Sequence, residues 1–236
     1  MSARSGAGWA MAMRWHELLF AHWRVPVELL RGKVPAGLSI DVFDGSAWLA
    51  VVPFRMSGVR ARCTPALPGL GAFPELNVRT YVTRDGVPGV WFFSLDAAQP
   101  LAVRTARALF SLPYFDARMS CTREGETIVY ASTRTHRGAP AAEFRARYGP
   151  IGPSFVAERG SLEEFLVERD CLYAQSPSGV LRRGDIAHVP WPLRRARCEL
   201  TSCAMTELLG CGLAGEPESL LYAEDLAVKA WLPRRC

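Results

Sequence analysis

The sequence contains no apolar run approaching the roughly 18 residues that a bilayer-spanning helix needs. Residues 1–12 (MSARSGAGWAMA) also lack the apolar stretch of a signal peptide. The reading is a soluble, cytoplasmic chain, with no membrane partner, whose residues 1–12 form a flexible tail; translation starting at Met11 or Met13 fits equally. Lysine is almost missing. Of 28 lysines and arginines only Lys33 and Lys229 are lysines, so the net charge of +5 is an arginine charge. The arginines are scattered, with doublets only at Arg182-Arg183, Arg194-Arg195 and Arg234-Arg235. A nucleic-acid partner calls for a clustered basic footprint, and none is present.

Other absences narrow the chemistry. The seven cysteines include no C-x-x-C pair and are odd in number, which favours free thiols over a disulfide framework or a zinc site. After His16-Glu17 the next histidine is His22, six positions from the first, whereas H-E-x-x-H zinc sites need four. Cys121 and Cys171 have no histidine adjacent in sequence to activate a thiolate. There is no G-x-S-x-G elbow, phosphate loop or dinucleotide fingerprint. Hydrolase, nucleotide-dependent and metal-dependent readings lose their usual support, and no cofactor is expected.

What is present is 236 residues, 49% of them hydrophobic, enough for one domain over residues 13–236 with a sizeable core. The chain reads as α+β and mainly antiparallel β. Residues 13–25 fit a strand or a short helix, and 26–35 one or two helical turns. Residues 38–43 and 47–56 are β-rich and flank Asp44-Gly45, a dipeptide suited to a tight hairpin turn. Residues 100–110 (PLAVRTARALF) carry apolar positions at helical spacing. Residues 114–122 and 127–136 read as a hairpin about Glu124-Gly125. The Gly/Pro-rich passage 138–160 reads as loop with a short helix near 141–148. Ser161-Leu162-Glu163-Glu164 has the form of a capping box opening a helix over 162–168. Strands over 171–175, 179–189 and 197–203, a short helix near 204–209 and a strand over 219–232 complete the chain.

The central stretch is FPELNVRTYV, residues 73–82. In an extended strand its members Glu75, Asn77, Arg79 and Tyr81 share one face. The turn 84–89 then leads to VWFFSLD, residues 90–96, which the pattern pairs with it as a hairpin. Two readings of the polar row stand: one wall of a ligand cavity, or the watered face of an antiparallel sheet.

Taken together, PAGLSIDVFDGSAWLAVVPFRMSGVR (35–60), FPELNVRTYV (73–82), GVWFFSLDA (89–97), LPYFDARM (112–119), ERDCLYA (168–174) and HVPWPLRRA (188–196) resemble the bacterial YqjF-like family, which is grouped with the acetoacetate decarboxylase-like superfamily. The resemblance spans roughly residue 13 to the C-terminus. It implies a curved β-barrel or cone of antiparallel strands with a few short flanking helices, enclosing a pocket. The superfamily's namesake uses a buried lysine that forms a Schiff base with a keto acid. Here neither Lys33, in a turn before Pro35, nor Lys229, near the end of the last strand, falls in the segment after VWFFSLD where that lysine is expected. Arginine stays protonated and is no nucleophile. Imine chemistry is therefore disfavoured unless Lys229 reaches the pocket.

With an inward polar row, Arg79 binds a carboxylate or enolate oxygen, Glu75 works as acid or base, and His188 is a candidate proton shuttle. Asn77, Tyr81, Trp91, Phe93, Asp96, Tyr114, Arg169 and Tyr173 are the candidate substrate-binding residues. The expectation is a small-molecule-pocket protein, of lyase, isomerase or dehydratase type, acting on an anionic, carbonyl-containing substrate without an imine. The alternatives are a non-catalytic binding or structural protein of the same fold, in which Glu75 and Arg79 neutralise each other, and self-association through exposed strand edges.

Overall fold

The computed structural model describes residues 8–66, 71–210, 212–213 and 215–236. In chain order the elements are β1 (Met11–Val25), α1 (Val27–Leu30), β2 (Ser39–Ile40), β3 (Ala47–Ala61), β4 (Phe73–Arg84), β5 (Val87–Ala97) and α2 (Pro100–Phe110). They continue with β6 (Tyr114–Glu124), β7 (Thr127–Arg134), β8 (Glu143–Phe155), α3 (Leu162–Val167), β9 (Cys171–Gln175), β10 (Leu181–Ala187), β11 (Leu193–Cys203), β12 (Ser219–Ala230) and β13 (Arg234–Arg235). A 3-10 turn at Glu207–Leu209 ends at Gly210, whose φ is 65°.

Among the described residues all thirteen strands belong to one sheet, in the order β13-β10-β9-β5-β6-β7-β8-β11-β12-β1-β3-β4-β2. Further pairings of β4 with β5 and of β10 with β12 bring distant parts of that order together, so the curved sheet closes on itself. Pairing is antiparallel except where β5 runs parallel to β6 and to β9. The expected α+β fold of mainly antiparallel strands with few short helices is what the chain adopts.

Apolar residues occupy both faces of the wall formed by β1, β3 and β4. Phe20, Val52 and Phe54 belong to one buried cluster, while Leu19, Val51, Leu76 and Val78 belong to another on the opposite face. This two-sided burial explains the nearly continuous hydrophobic run of β3, in contrast with the alternation of a half-wet sheet.

Several elements depart from the sequence expectation. Residues 38–43 do not form a hairpin with β3: only the bridge Phe43–Ser46 spans the Asp44-Gly45 turn, and the two-residue β2 pairs with β4 instead. Asp44 and Gly45 do take the positive φ angles of a tight turn, 49° and 72°. Residues 141–148 are not helical: from Glu143 on they open the thirteen-residue strand β8. Phe144, Ala146 and Tyr148 alternate inward there, and an added Cβ on Gly149 would stand 2.2 Å from the Glu126 carbonyl oxygen. Met11 and Ala12, expected in the tail, already pair with Ala230 and Lys229. Cys211 lies outside the described residues.

Candidate functional site

A cavity of about 460 Å³ lies against the β4 face that carries the polar row. Glu75, Asn77 and Arg79 all line it, so this face is turned away from bulk solvent. Two irregularities in neighbouring strands shape the wall. In β1, Glu17 takes a left-handed φ of 57° at a register shift against β3. The bulge changes parity, so that Met13 and Trp15 before it and Leu18 and Phe20 after it all face the cavity. In β5, Arg79 pairs with Phe92 but Val78 pairs with Ser94, leaving Phe93 as the bulged residue. Directly opposed residues share a face, which places Val90, Phe92 and Leu95 on the cavity side.

That register corrects two expected positions. Trp91 points to the other face and packs in the cluster of Tyr173 and Leu181, while Phe93 packs among apolar side chains behind the wall. Tyr173 lies in the same outer cluster as Trp91 and donates its hydroxyl to the Val87 carbonyl at 3.0 Å. Asp96, fully buried, is also outside the cavity lining: Arg134 grips both its carboxylate oxygens at 2.6 to 3.2 Å, and Phe115 covers the guanidinium at 4.3 Å. Tyr81 is on the cavity side of β4 but is not a lining residue. It donates to the Leu166 carbonyl at 2.9 Å and accepts from His22 Nε2 at 2.9 Å, which leaves it no free hydrogen for a ligand. Burial and the Arg79 charge keep His22 neutral in that role.

Tyr114 and Arg169 do line the cavity. Tyr114 donates to Glu75 Oε2 at 2.8 Å, and Arg107, on α2, in turn holds the Tyr114 carbonyl at 2.6 Å. Burial lifts the Glu75 carboxyl to about 8; the Tyr114 hydrogen bond opposes this, and the nearby Asp96 charge adds to it. Glu75 is thus a neutral acid at pH 7. The same burial and the neighbouring Glu75 push the Tyr114 phenol well above its usual range. Arg169 is committed: its Nη1 meets Asp41 at 2.6 Å and its Nε meets the Phe165 carbonyl at 2.7 Å.

Arg79 is different. Its Nη2 reaches the Leu166 carbonyl at 3.3 Å and its guanidinium lies over the Phe20 ring at 5.5 Å. No carboxylate among the described residues pairs with it, so Glu75 and Arg79 do not neutralise each other. The buried Nε of Arg79 is without a protein partner, as are three other buried atoms of lining residues: Asn77 Oδ1, Trp15 Nε1 and His188 Nε2. His188 follows the end of β10, donates Nδ1–H to the Val189 carbonyl at 2.7 Å and packs on Trp191 at 5.0 Å. In the neutral ring that bond leaves Nε2 as the acceptor. A buried polar atom without a partner is costly, so four around one cavity describe a surface built for a polar visitor. Trp15, Phe92, Leu95 and Trp191 were not foreseen as lining residues. For Phe92 the signal was there: a two-residue turn at Asp85-Gly86 pairs Arg84 with Val87, and counting back sets Phe92 opposite Arg79.

Lys33 and Lys229 are both exposed, and neither lines the cavity. Lys229 lies over the Trp9 ring instead. Among the described residues no three His, Cys, Asp or Glu side chains gather as a metal site, and no helix is long and apolar enough to cross a membrane.

A closed, mainly antiparallel sheet around a polar-edged apolar chamber defines a protein of the acetoacetate decarboxylase-like fold. Solved structures bear this out. An acetoacetate decarboxylase-like enzyme from Sphingomonas wittichii RW1 superposes with a TM-score of 0.65 at 17% identity, over 98% of this chain and 94% of that one. The acetoacetate decarboxylase of Legionella pneumophila gives 0.66 at 12% identity, over 100% and 92%. The enduracididine biosynthesis enzyme MppR, solved with pyruvate, gives 0.63 at 12%, over 99% and 93%. The chain belongs to the DUF2071 family of uncharacterized conserved proteins, whose model matches residues 12–227. It is 43% identical over 227 residues to the uncharacterized protein YqjF of Bacillus subtilis (strain 168), covering 96% of this chain and 93% of that one.

Proposed function

We propose that this protein is an enzyme of lyase, isomerase or dehydratase type that binds an anionic, carbonyl-containing small molecule and moves protons on it without a lysine imine. The observation that carries the reading is the pairing of opposites on one strand face: a buried carboxyl held in its acid form at Glu75 and a guanidinium without a carboxylate partner at Arg79. Arg79 holds the anion. Glu75 gives its proton to the carbonyl oxygen as negative charge develops there, and the proton on the neighbouring carbon leaves to His188 Nε2. Reversal returns both protons, so atoms and charge balance over the cycle. An acid matched to neutral pH suits this work, and the apolar wall keeps its field unscreened.

Solvent deuterium exchange at the carbon beside the carbonyl, followed by NMR over a panel of oxo acids, tests the proposal. Wild type should exchange at least one of them, Glu75→Gln should lose about 10²-fold or more, and the rate should fall as pH rises through about 8, where the acid form is lost. Equal exchange by Glu75→Gln, or a borohydride-trapped adduct on Lys229, would overturn it. Ligand binding with no exchange under any condition would instead favour a binding protein of the same fold.

A further inference from the structure

Glu75 and Arg79 face the same chamber from positions four residues apart on β4. Along β4 the pairing with β3 is regular, Phe54 opposite Glu75, Val52 opposite Asn77 and Ala50 opposite Arg79. Four residues at about 3.3 Å each set the two Cα atoms about 13 Å apart. Their partners belong to different elements. Arg79 reaches the carbonyl of Leu166 in α3, whereas Glu75 is held by Tyr114, which opens β6 and is bonded by Arg107 of α2. Asn77 lies between them on the strand, and the wall around it is hydrocarbon, from Phe20 and Val52 to Phe92 and Leu95. With liquid water taking about 30 Å³ per molecule, a space of about 460 Å³ is far larger than a three- or four-carbon keto acid. The apolar surface also continues outward: Leu101 and Leu109 of α2 line the chamber and are 55% and 56% exposed.

We infer that the ligand is an elongated anion with an apolar body. Its acid group sits on Arg79, and its chain runs along Val52 and Phe92 toward Glu75 and α2. The placement of a carbonyl at Glu75 rests on the proposed function; the length, charge and apolarity of the ligand do not. On both together the substrate class is an oxo acid whose carboxylate and carbonyl are separated by an apolar spacer, distinct from a pyruvate- or acetoacetate-sized acid.

Calorimetric titration of the full chain separates these claims. The probes are pyruvate, acetoacetate, levulinate, oxo acids lengthened to a ten-carbon chain, plain decanoate, and the neutral ketone of matching length. Affinity should tighten about fourfold per added methylene until the chamber is full. Arg79→Ala, with Arg79→Gln as the variant that keeps more of the side chain, should weaken the acids at least tenfold and leave the neutral ketone unchanged. Ala106→Phe, which fills space at the α2 end, should shift the best chain length downward without touching the charge dependence. Decanoate binding as well as its oxo counterpart would uphold the elongated anion even if no deuterium exchange is ever seen, since binding needs no turnover. Short keto acids binding as tightly as the long ones, or an equal loss of acid and ketone on Arg79→Ala, would overturn the inference.

Discussion

The two faces of β4 meet burial in opposite ways. On one face Leu76 and Val78 enter a solid layer with Tyr130 and Tyr148, and polar atoms there are partnered: Tyr130 donates to the Glu75 and Phe54 carbonyls, Tyr148 to the Glu17 carbonyl and Thr80 to the Trp48 carbonyl. The small hydroxyls of Ser94 and Ser132 are the exceptions behind the wall. On the other face Asn77 and Arg79 present buried polar atoms to open space, and Glu75 shares only a tyrosine hydroxyl. A strand can thus be structural on its even positions and receptive on its odd ones, and the solid side fixes the frame that the receptive side needs. Tyr130 makes the link concrete, because its hydroxyl clamps the backbone of Glu75 from behind.

If this contrast holds, breaking the closed side destabilises the protein and altering the open side changes its behaviour toward protons and ligands. The largest effect is expected at the pair Asp96–Arg134, with exposures of 0% and 1%. Removing one partner by Asp96→Ala leaves a buried charge and should cost about 3–5 kcal/mol in urea denaturation; a loss below about 1 kcal/mol would contradict a fully desolvated pair.

Glu75 supplies a pH signature. Its carboxyl is raised to about 8 in the folded state, while the unfolded chain releases the proton in the usual carboxylate range. Between those two values the folded state binds the extra proton, so this group's contribution weakens as pH rises and levels off above about 8. Glu75→Gln should flatten that fall, by up to about 5 kcal/mol across the window; parallel stability profiles for variant and wild type would sink the assignment.

Tyr130→Phe should cost about 1–3 kcal/mol, because it leaves carbonyl acceptors of Phe54 and Glu75 short of a donor. Arg79→Gln belongs to the open side and should change stability by less than about 1 kcal/mol, since no ion pair is broken. A loss as large as that of Asp96→Ala would make Arg79 a structural residue and erase the contrast.

Much of the site was legible because a strand's two-residue period is unforgiving. Once residues 73–82 are read as a strand, Glu75, Asn77 and Arg79 must share a face, and they do. The direction of that face was not legible, since an odd-position polar row looks the same against water and against a cavity. Bulges were the second obstacle. Phe93 in β5 and Glu17 in β1 each shift parity by one, which brings Leu95 and Trp15 to the cavity side unannounced; Trp91 and Phe93 miss that side for a simpler reason, since the register set by the Asp85-Gly86 turn already places Phe92 opposite Arg79. Strand β8 was hidden by Gly149, Pro150, Gly152 and Pro153, which read as loop although Phe144, Ala146 and Tyr148 already alternate. The turn at Asp44-Gly45 shows a third limit: the dipeptide fixes the local bend, but the pairing of β2 with β4 depends on tertiary contacts that no local pattern encodes.

The most direct test is the titration of the Glu75 side-chain carbon by NMR in glutamate-labelled protein, assigned by its disappearance in Glu75→Gln. A midpoint near 8, with the group protonated at pH 7, is the expected result. A midpoint at 4 to 5, the range of a carboxyl in water, would mean that this side chain does not face an enclosed chamber.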